Sequence, residues 1–208
     1  MNPSDPIMAK TRQTYREQAQ TYDAVRHRNG SELVWLERFL EAFPDGHDIL
    51  DLGCGNGEPF TRALLGKGFN LTGVDFSPEL LAISEARYPN ARWLEGDLRH
   101  LDFGDETFDG LICWGVMFHL TQEDQRQLIR DMAGLLNPGG IIMMTIGDQA
   151  GEGEGFVGDA KVYHASLSVE SYKATLKRAG FDILRLTIRD EDCGGATVVL
   201  AQKCVRTG

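Results

Sequence analysis

The chain has 208 residues, of which 42% are hydrophobic and 25% charged, with a formal net charge of −10 at pH 7. That length accommodates one full α/β domain over residues 1–208 and not two comfortable ones, and the balance is globular rather than disordered. An acidic chain with no Lys/Arg cluster is a poor nucleic-acid binder, so a small-molecule partner is expected instead.

Cys54, Cys113, Cys193 and Cys204 are scattered and form no Cys-x-x-Cys pair. This argues against structural zinc and a disulfide framework, and no metal is expected. The first residues lack a charged-then-apolar leader pattern, and Ile141-Ile142-Met143-Met144, the longest apolar run, cannot span a bilayer. The expectation is a cytoplasmic protein with no membrane partner, monomeric or homodimeric.

In chain order, residues 10–43 read as helical, and residues 1–43 as a helical lid. Tyr15, Ala19 and Tyr22 recur at helical spacing; after an Asn29-Gly30 turn come Leu33, Leu36, Phe39, Leu40 and Phe43. Pro44-Asp45-Gly46 breaks the pattern. Ile49-Leu50 heads a strand ending in Asp51-Leu52-Gly53-Cys54-Gly55-Asn56-Gly57, and Pro59 suits the first turn of the next helix. Leu71 to Val74 is a second strand. Ser77-Pro78 then supplies an N-cap and a first-turn proline. Ala91 to Leu94 and Phe108 to Trp114 are the third and fourth strands. Thr121-Gln122-Glu123-Asp124 resembles a capping box for a helix ending at Asn137-Pro138-Gly139-Gly140, and Ile141 to Ile146 is a fifth strand.

Residues 147–167, rich in glycine and acid, read as a long substrate-side loop. Its acids at 151–155 lack a calcium-loop spacing. Ser168 opens a last helix ending at Ala179-Gly180. Phe181 to Ile188 and Ala196 to Ala201 close the chain as two strands. Alternating β and α units predict a Rossmann-like, doubly wound α/β fold. The sheet is mostly parallel and seven-stranded, with helices on both faces; the closing β-loop-β adds one antiparallel strand.

Ligands of such sheets bind at the carboxyl ends of the strands. Glycines at 53, 55 and 57 let the backbone approach a ligand closely, although tight strand–helix packing selects the same pattern. The dinucleotide pattern requires a third glycine where Glu58 stands, and the flanking acids Asp51 and Glu58 suit a cationic ligand better than a diphosphate. Asp75, ending the second strand, is placed to accept from both hydroxyls of a ribose. Asp97 and Leu98, after the third, can read an adenine edge.

Taken together, Ile49 to Gly57, Gly73-Val74-Asp75-Phe76-Ser77 and Glu95-Gly96-Asp97-Leu98 resemble the first, ribose and adenine motifs of class I S-adenosylmethionine-dependent methyltransferases. Phe108-Asp109 through His119-Leu120, and Leu136 to Gly140, are similar to that family's next two segments. The resemblance covers roughly residues 45–205 and implies S-adenosylmethionine as cofactor, with S-adenosylhomocysteine as product. It implies that Gly53 and Gly55 pass under the methionyl part and that Asp51 orients its amino group. Asp75 would hold the ribose, Phe76 flank the adenine, Asp97 and Leu98 recognise its amino edge, and Trp114 lie near the sulfonium or the acceptor.

Several residues carry two readings. Cys54, grouped with the cofactor turn, is a nucleophile or simply a small residue filling it. Phe76 and Trp93 serve equally as core residues. His119, following the fourth strand, is a candidate general base or a structural histidine. Tyr163 and His164 reach an acceptor or anchor a surface loop; Tyr15 and Tyr22 close over the cofactor or merely pack. Arg26, His27 and Arg28 are a solvated face or bind an acidic acceptor, with Arg28 the candidate contact. No Asn/Asp-Pro-Pro-aromatic motif, Pro-Cys pair or acid cluster follows the fourth strand, which leaves oxygen or nitrogen of a small molecule as the acceptor. The competing readings are a non-catalytic nucleoside-binding module and a nicotinamide-dependent oxidoreductase.

Overall fold

The computed structural model describes residues 5–26, 30–43 and 46–205. The candidate contact Arg28, its neighbour His27, Asn29 of the predicted turn and the Pro44-Asp45 break lie outside the described residues.

The chain opens with two helices, α1 (Asp5–Val25) and α2 (Leu33–Glu41). There follow β1 (Asp48–Leu52), α3 (Phe60–Gly66), β2 (Asn70–Asp75), α4 (Pro78–Arg87), β3 (Arg92–Glu95) and β4 (Phe108–Cys113). A 3-10 turn, Met117–His119, leads into α5 (Gln122–Leu135) and β5 (Leu136–Ile146). The chain then forms β6 (Gly151–Val157), β7 (Ala160–Ser166), α6 (Val169–Arg178), β8 (Phe181–Asp190) and β9 (Ala196–Lys203).

Seven strands form one sheet in the order β3-β2-β1-β4-β5-β9-β8. Neighbours from β3 to β5 are parallel, and β9 runs antiparallel to both β5 and β8. The central strands are continuous apolar runs because both sheet faces are covered. Successive residues serve opposite faces. Leu111 and Ile142 face α5 and α6, meeting Leu128, Ile129, Tyr172 and Leu176. Ile112 and Met143 face the other way, onto Trp35, Phe39 and Leu64 of α2 and α3. That second layer is close: a Cβ on Gly110 would stand 2.3 Å from Phe43 Cε2.

The caps follow the residues. Ser77 Oγ accepts from the Leu80 N–H with Pro78 behind it, and Ser168 Oγ accepts from Ser171. Thr121 Oγ1 accepts from the Asp124 N–H while donating to the Asp124 carboxylate, so the helix start is closed through the hydroxyl rather than through the Thr121 amide.

Three expectations are corrected. Residues 147–167 are not one long loop: β6 and β7 form a hairpin, paired from Gly151↔Ser166 to Val157↔Ala160. A Cβ on Gly158 in its turn would stand 2.9 Å from Gln18 Oε1 of α1, so the lid helix lies against a hairpin whose first strand is mostly exposed and whose second buries Val162 and Ala165. The fifth strand starts at Leu136 rather than Ile141, directly from α5. A register shift opposite Phe108/Gly110 and a bond from Asn137 Nδ2 to Asp109 Oδ1 hold the Asn-Pro-Gly-Gly stretch against β4. Pro59 stands at the N-cap of α3, one place before the first helical residue. Among the described residues no helix is long and apolar enough to cross a membrane.

Candidate active site

The turn after β1 folds back on β2. The amides of Gly53 and Cys54 both donate to the Val74 carbonyl, at 2.8 and 3.1 Å. Gly53 holds φ 73°, where a side chain is strained, and a Cβ there would stand 2.2 Å from Val116 Cγ2. The bare backbone lets Val116, from the segment after β4, pack directly against the turn.

Asp75 ends β2 beside this turn. Its Oδ2 accepts from the Gly55 N–H and its Oδ1 from the Ser77 N–H, both at 2.9 Å. Burial raises its carboxyl to about 6 in spite of these two bonds. Asp51, also buried, is raised to about 7, by burial first and by the Asp75 charge second. Two buried acids that resist ionisation suit a cationic ligand.

The cavity above them measures about 260 Å³. Gly53, Gly55, Asp75, Phe76, Asp97 and Leu98 form its strand-end wall. The segment after β4 supplies Trp114, Gly115, Val116, Phe118 and His119. The third wall is one face of α1, where Met8, Tyr15 and Tyr22 recur every seven residues and Arg26 follows. Asp51 and Cys54 stand outside the cavity lining. The Cys54 sulfur packs beside Gly73, and burial pushes its thiol well up, so it fills the turn as a small residue.

Ion pairs fasten α1 over this space. Arg12 pairs with Glu95, Arg16 with Glu79 at 3.0 Å, and Asp23 with Arg87 at 2.9 Å. Asp23 also accepts from Asn56 Nδ2 of the glycine turn at 2.7 Å. Arg99 bridges Asp97 to Asp5. Burial alone would raise the Asp97 carboxyl, and the bonds from Arg99 bring it below its ordinary value.

His119 lies at the wall shared by α1 and the segment after β4. Its Nε2 is 2.8 Å from Tyr15 Oη and its Nδ1 is 3.4 Å from the Tyr163 carbonyl. The carbonyl can only accept, which assigns the proton to Nδ1 and leaves the Nε2 lone pair facing the phenol. Burial, then the neighbouring His164, lowers His119 to about 4, so the ring is neutral at neutral pH. Tyr163 and His164 do not line this cavity. Tyr163 contributes only its carbonyl, and the His164 ring stands 5.1 Å from that of His119. Arg26 donates from Nη1 to Glu32 at 2.7 Å, while its buried Nε has no hydrogen-bond partner among the described residues.

Residues 49–140 match a family described as a methyltransferase domain. Methyltransferase GfsG of Streptomyces halstedii is 29% identical over 157 residues, 68% of this chain and 55% of that protein. The DhpI–SAH complex superposes with a TM-score of 0.76 at 21% identity, covering 96% of this chain and 98% of that one. SAM-bound CalS10, an amino pentose methyltransferase from Micromonospora echinaspora, gives 0.69 at 22% identity, over 88% and 96%. Over residues 49–140 the chain is similar to that methyltransferase domain, and its fold is that of S-adenosylmethionine-dependent methyltransferases. It spans about half the length of the curated relatives it matches.

The residues around the cavity fit S-adenosylmethionine as cofactor. The unpartnered Arg26 Nε is a donor suited to a carboxylate, and the buried acids suit an ammonium and a sulfonium. A diphosphate would find two acids and one already paired arginine around the cavity. Among the described residues no group of three His, Cys, Asp or Glu could hold a metal ion. Reading the sequence missed Met8, Val116 and Phe118 as wall residues, and placed Arg26 only with an acidic acceptor. The seven-residue step through Met8, Tyr15 and Tyr22 was a signal that could have found the first.

Proposed function

We propose that this methyltransferase moves the methyl group of S-adenosylmethionine to an oxygen or nitrogen of a small-molecule acceptor. The observation that carries this reading is the neutral, buried His119 in the wall of a cavity whose other walls are a glycine turn and strand-end acids. An amino pentose methyltransferase among the fold neighbours supports the small-molecule class.

In this reading Asp75 accepts from the ribose hydroxyls, Phe76 flanks the adenine, and Asp97 with Leu98 takes its amino edge. Gly53 and Gly55 pass under the methionyl chain, Asp51 orients its ammonium from beneath, and Arg26 takes its carboxylate. Trp114 and Tyr22 close the remaining wall. When bound, the cofactor supplies an electrophilic methyl group on a sulfonium. The face of α1 excludes water, which would otherwise favour a charged ground state. His119 Nε2 accepts from the Tyr15 hydroxyl, so a proton lost by a hydroxyl acceptor passes to Tyr15 Oη as the Tyr15 proton passes to Nε2.

The test combines calorimetry with S-adenosylhomocysteine and a screen of methyl-labelled cofactor against hydroxylated, carboxylated and amine metabolites. Hydrogen bonds to a charged group contribute about 1.5–3 kcal/mol, so Asp75→Ala should weaken cofactor binding by about 10- to 150-fold. Unchanged affinity removes the central assignment. Tight binding with no label ever transferred would instead make the chain a binding module.

A further inference from the structure

Beside the cofactor cavity lies a second cleft of about 370 Å³, at the carboxyl ends of β4 and β5 and the turn between β8 and β9. The two share Trp114, Gly115 and Phe118. Gly115 has φ 74°, donates its N–H to Thr145 Oγ1 at 2.8 Å, and would place a Cβ in open space. The partition between cavity and cleft is therefore two half-buried aromatic rings and a bare stretch of backbone. A compact molecule in the cleft has access to the cofactor side.

The charged groups of this cleft are Asp148 and Arg189. Asp148 Oδ2 takes bonds from both Nε and Nη2 of Arg189. The carboxylate is the inner partner, 28% exposed, and the guanidinium the outer one at 65%. Held by one edge, a guanidinium still offers the donors of its other edge, which match the two oxygens of a carboxylate or phosphate. The pair thus presents a cation, with the acid spent in aiming it.

The backbone supports the same conclusion. Arg189 has φ 50°, and it is the one non-glycine residue in the left-handed region among those described. Its neighbours impose this conformation. Its N–H donates to Thr197 Oγ1 at 3.1 Å, and the side chain of Asp190 is locked by Trp35 Nε1 at 2.8 Å inside the core. Strand β8 shifts register between Thr187 and Asp190 to permit it. Asparagine or glycine would sit here with less strain, so an arginine held in this conformation by its surroundings points to use of its side chain.

We propose that this cleft is the acceptor site and that Arg189, aimed by Asp148, binds a carboxylate or phosphate at the end of the acceptor remote from the reacting atom. The inference rests on the methyl-transfer reading above. Its test uses the full chain saturated with S-adenosylhomocysteine, whose own affinity is measured first. Benzoate, phenyl phosphate, benzamide and benzylamine are then compared by calorimetry on the wild type, Arg189→Asn and Arg189→Lys. An acid should bind the wild type at least tenfold more tightly than benzamide, and the stronger of benzoate and phenyl phosphate identifies the anion. Arg189→Asn should lose that preference, keep its affinity for S-adenosylhomocysteine and melt no lower than wild type, because asparagine tolerates the φ. Arg189→Lys should keep part of the preference. The proposal falls if benzylamine binds best, if Arg189→Asn binds the acid as well as wild type does, or if no probe binds the loaded protein. Failure of S-adenosylhomocysteine to bind would overturn the cofactor reading instead.

Discussion

Asp51 and Asp75 are raised to about 7 and about 6 chiefly by burial, against an ordinary value of 3.8. A folded-state value above the unfolded one means that the native chain binds protons more tightly between about pH 4 and 7. The unliganded protein therefore loses stability as pH rises through that window. A ligand whose ribose hydroxyls donate to Asp75 and whose ammonium lies above Asp51 needs both carboxylates ionised and reverses the trend. Affinity for S-adenosylmethionine should fall as pH drops from 8 to 5, by up to about tenfold per unit per proton taken up. Calorimetry across that range checks it, and a flat profile contradicts the placement of these acids against the ligand. His119, lowered to about 4, stays neutral throughout. If it is the base, the acid limb of kcat lies below pH 5, while kcat/KM follows the aspartates near 6 to 7. His119→Ala should lower kcat by about 100-fold or more and leave S-adenosylhomocysteine affinity unchanged. Normal turnover would return the ring to a structural role.

At the scale of elements, the deciding one is α1. Its apolar stripe of Met8, Tyr15 and Tyr22 covers the cavity, it packs against the β6–β7 hairpin, ion pairs tie it to β3 and α4, and Asp23 accepts from Asn56 of the glycine turn. Exposed ion pairs contribute little each, about 0–1 kcal/mol, but Asp23 meets Arg87 and Asn56 together and both partners are partly buried. Asp23→Ala should therefore loosen α1 selectively. The expected result is faster proteolysis within α1, suppressed by saturating S-adenosylhomocysteine, with the sheet unaffected. Equal protease resistance would mean that packing alone fixes the helix. The sequence announced this helix and its two tyrosines because period and aromatic spacing are local properties. It did not announce the hairpin β6–β7: Gly151 to Gly155 alternates glycine with exposed glutamate, poor strand material by itself. Pairing with β7 and support from α1 supply what propensity lacks. The early start of β5 was hidden for a related reason, since Pro-Gly-Gly reads as a turn wherever its tertiary partner Asp109 is unknown. The strand-end wall of the cavity was legible because Asp75 and Asp97 follow strands at fixed places. The second cleft was legible only at Trp114, because Asp148 and Arg189 join it only through β4, β5 and β8 in the folded sheet.

For the whole molecule, the arrangement makes ligand binding a matter of tertiary stability. Each wall of the cavity belongs to a different part of the chain: α1, the strand ends of β1 to β3, and the segment after β4. A ligand touching all three stabilises only the state in which α1 is docked, because the lid side of the site is absent when the helix lifts. Free ligand at 100 times Kd adds about 2.7 kcal/mol to the native state. For a chain of this size that corresponds to a rise of roughly 5–11 °C in Tm. S-Adenosylhomocysteine should produce that shift and, in the same concentration range, slow hydrogen exchange along α1 as strongly as at the glycine turn. The two effects are coupled by the geometry. A raised Tm with α1 amides exchanging as fast as in the free protein would show that the ligand is held by the sheet alone. In that case Met8, Tyr15, Tyr22 and Arg26 would form no part of the binding wall, and Tyr15 could not pass its proton to His119 during turnover.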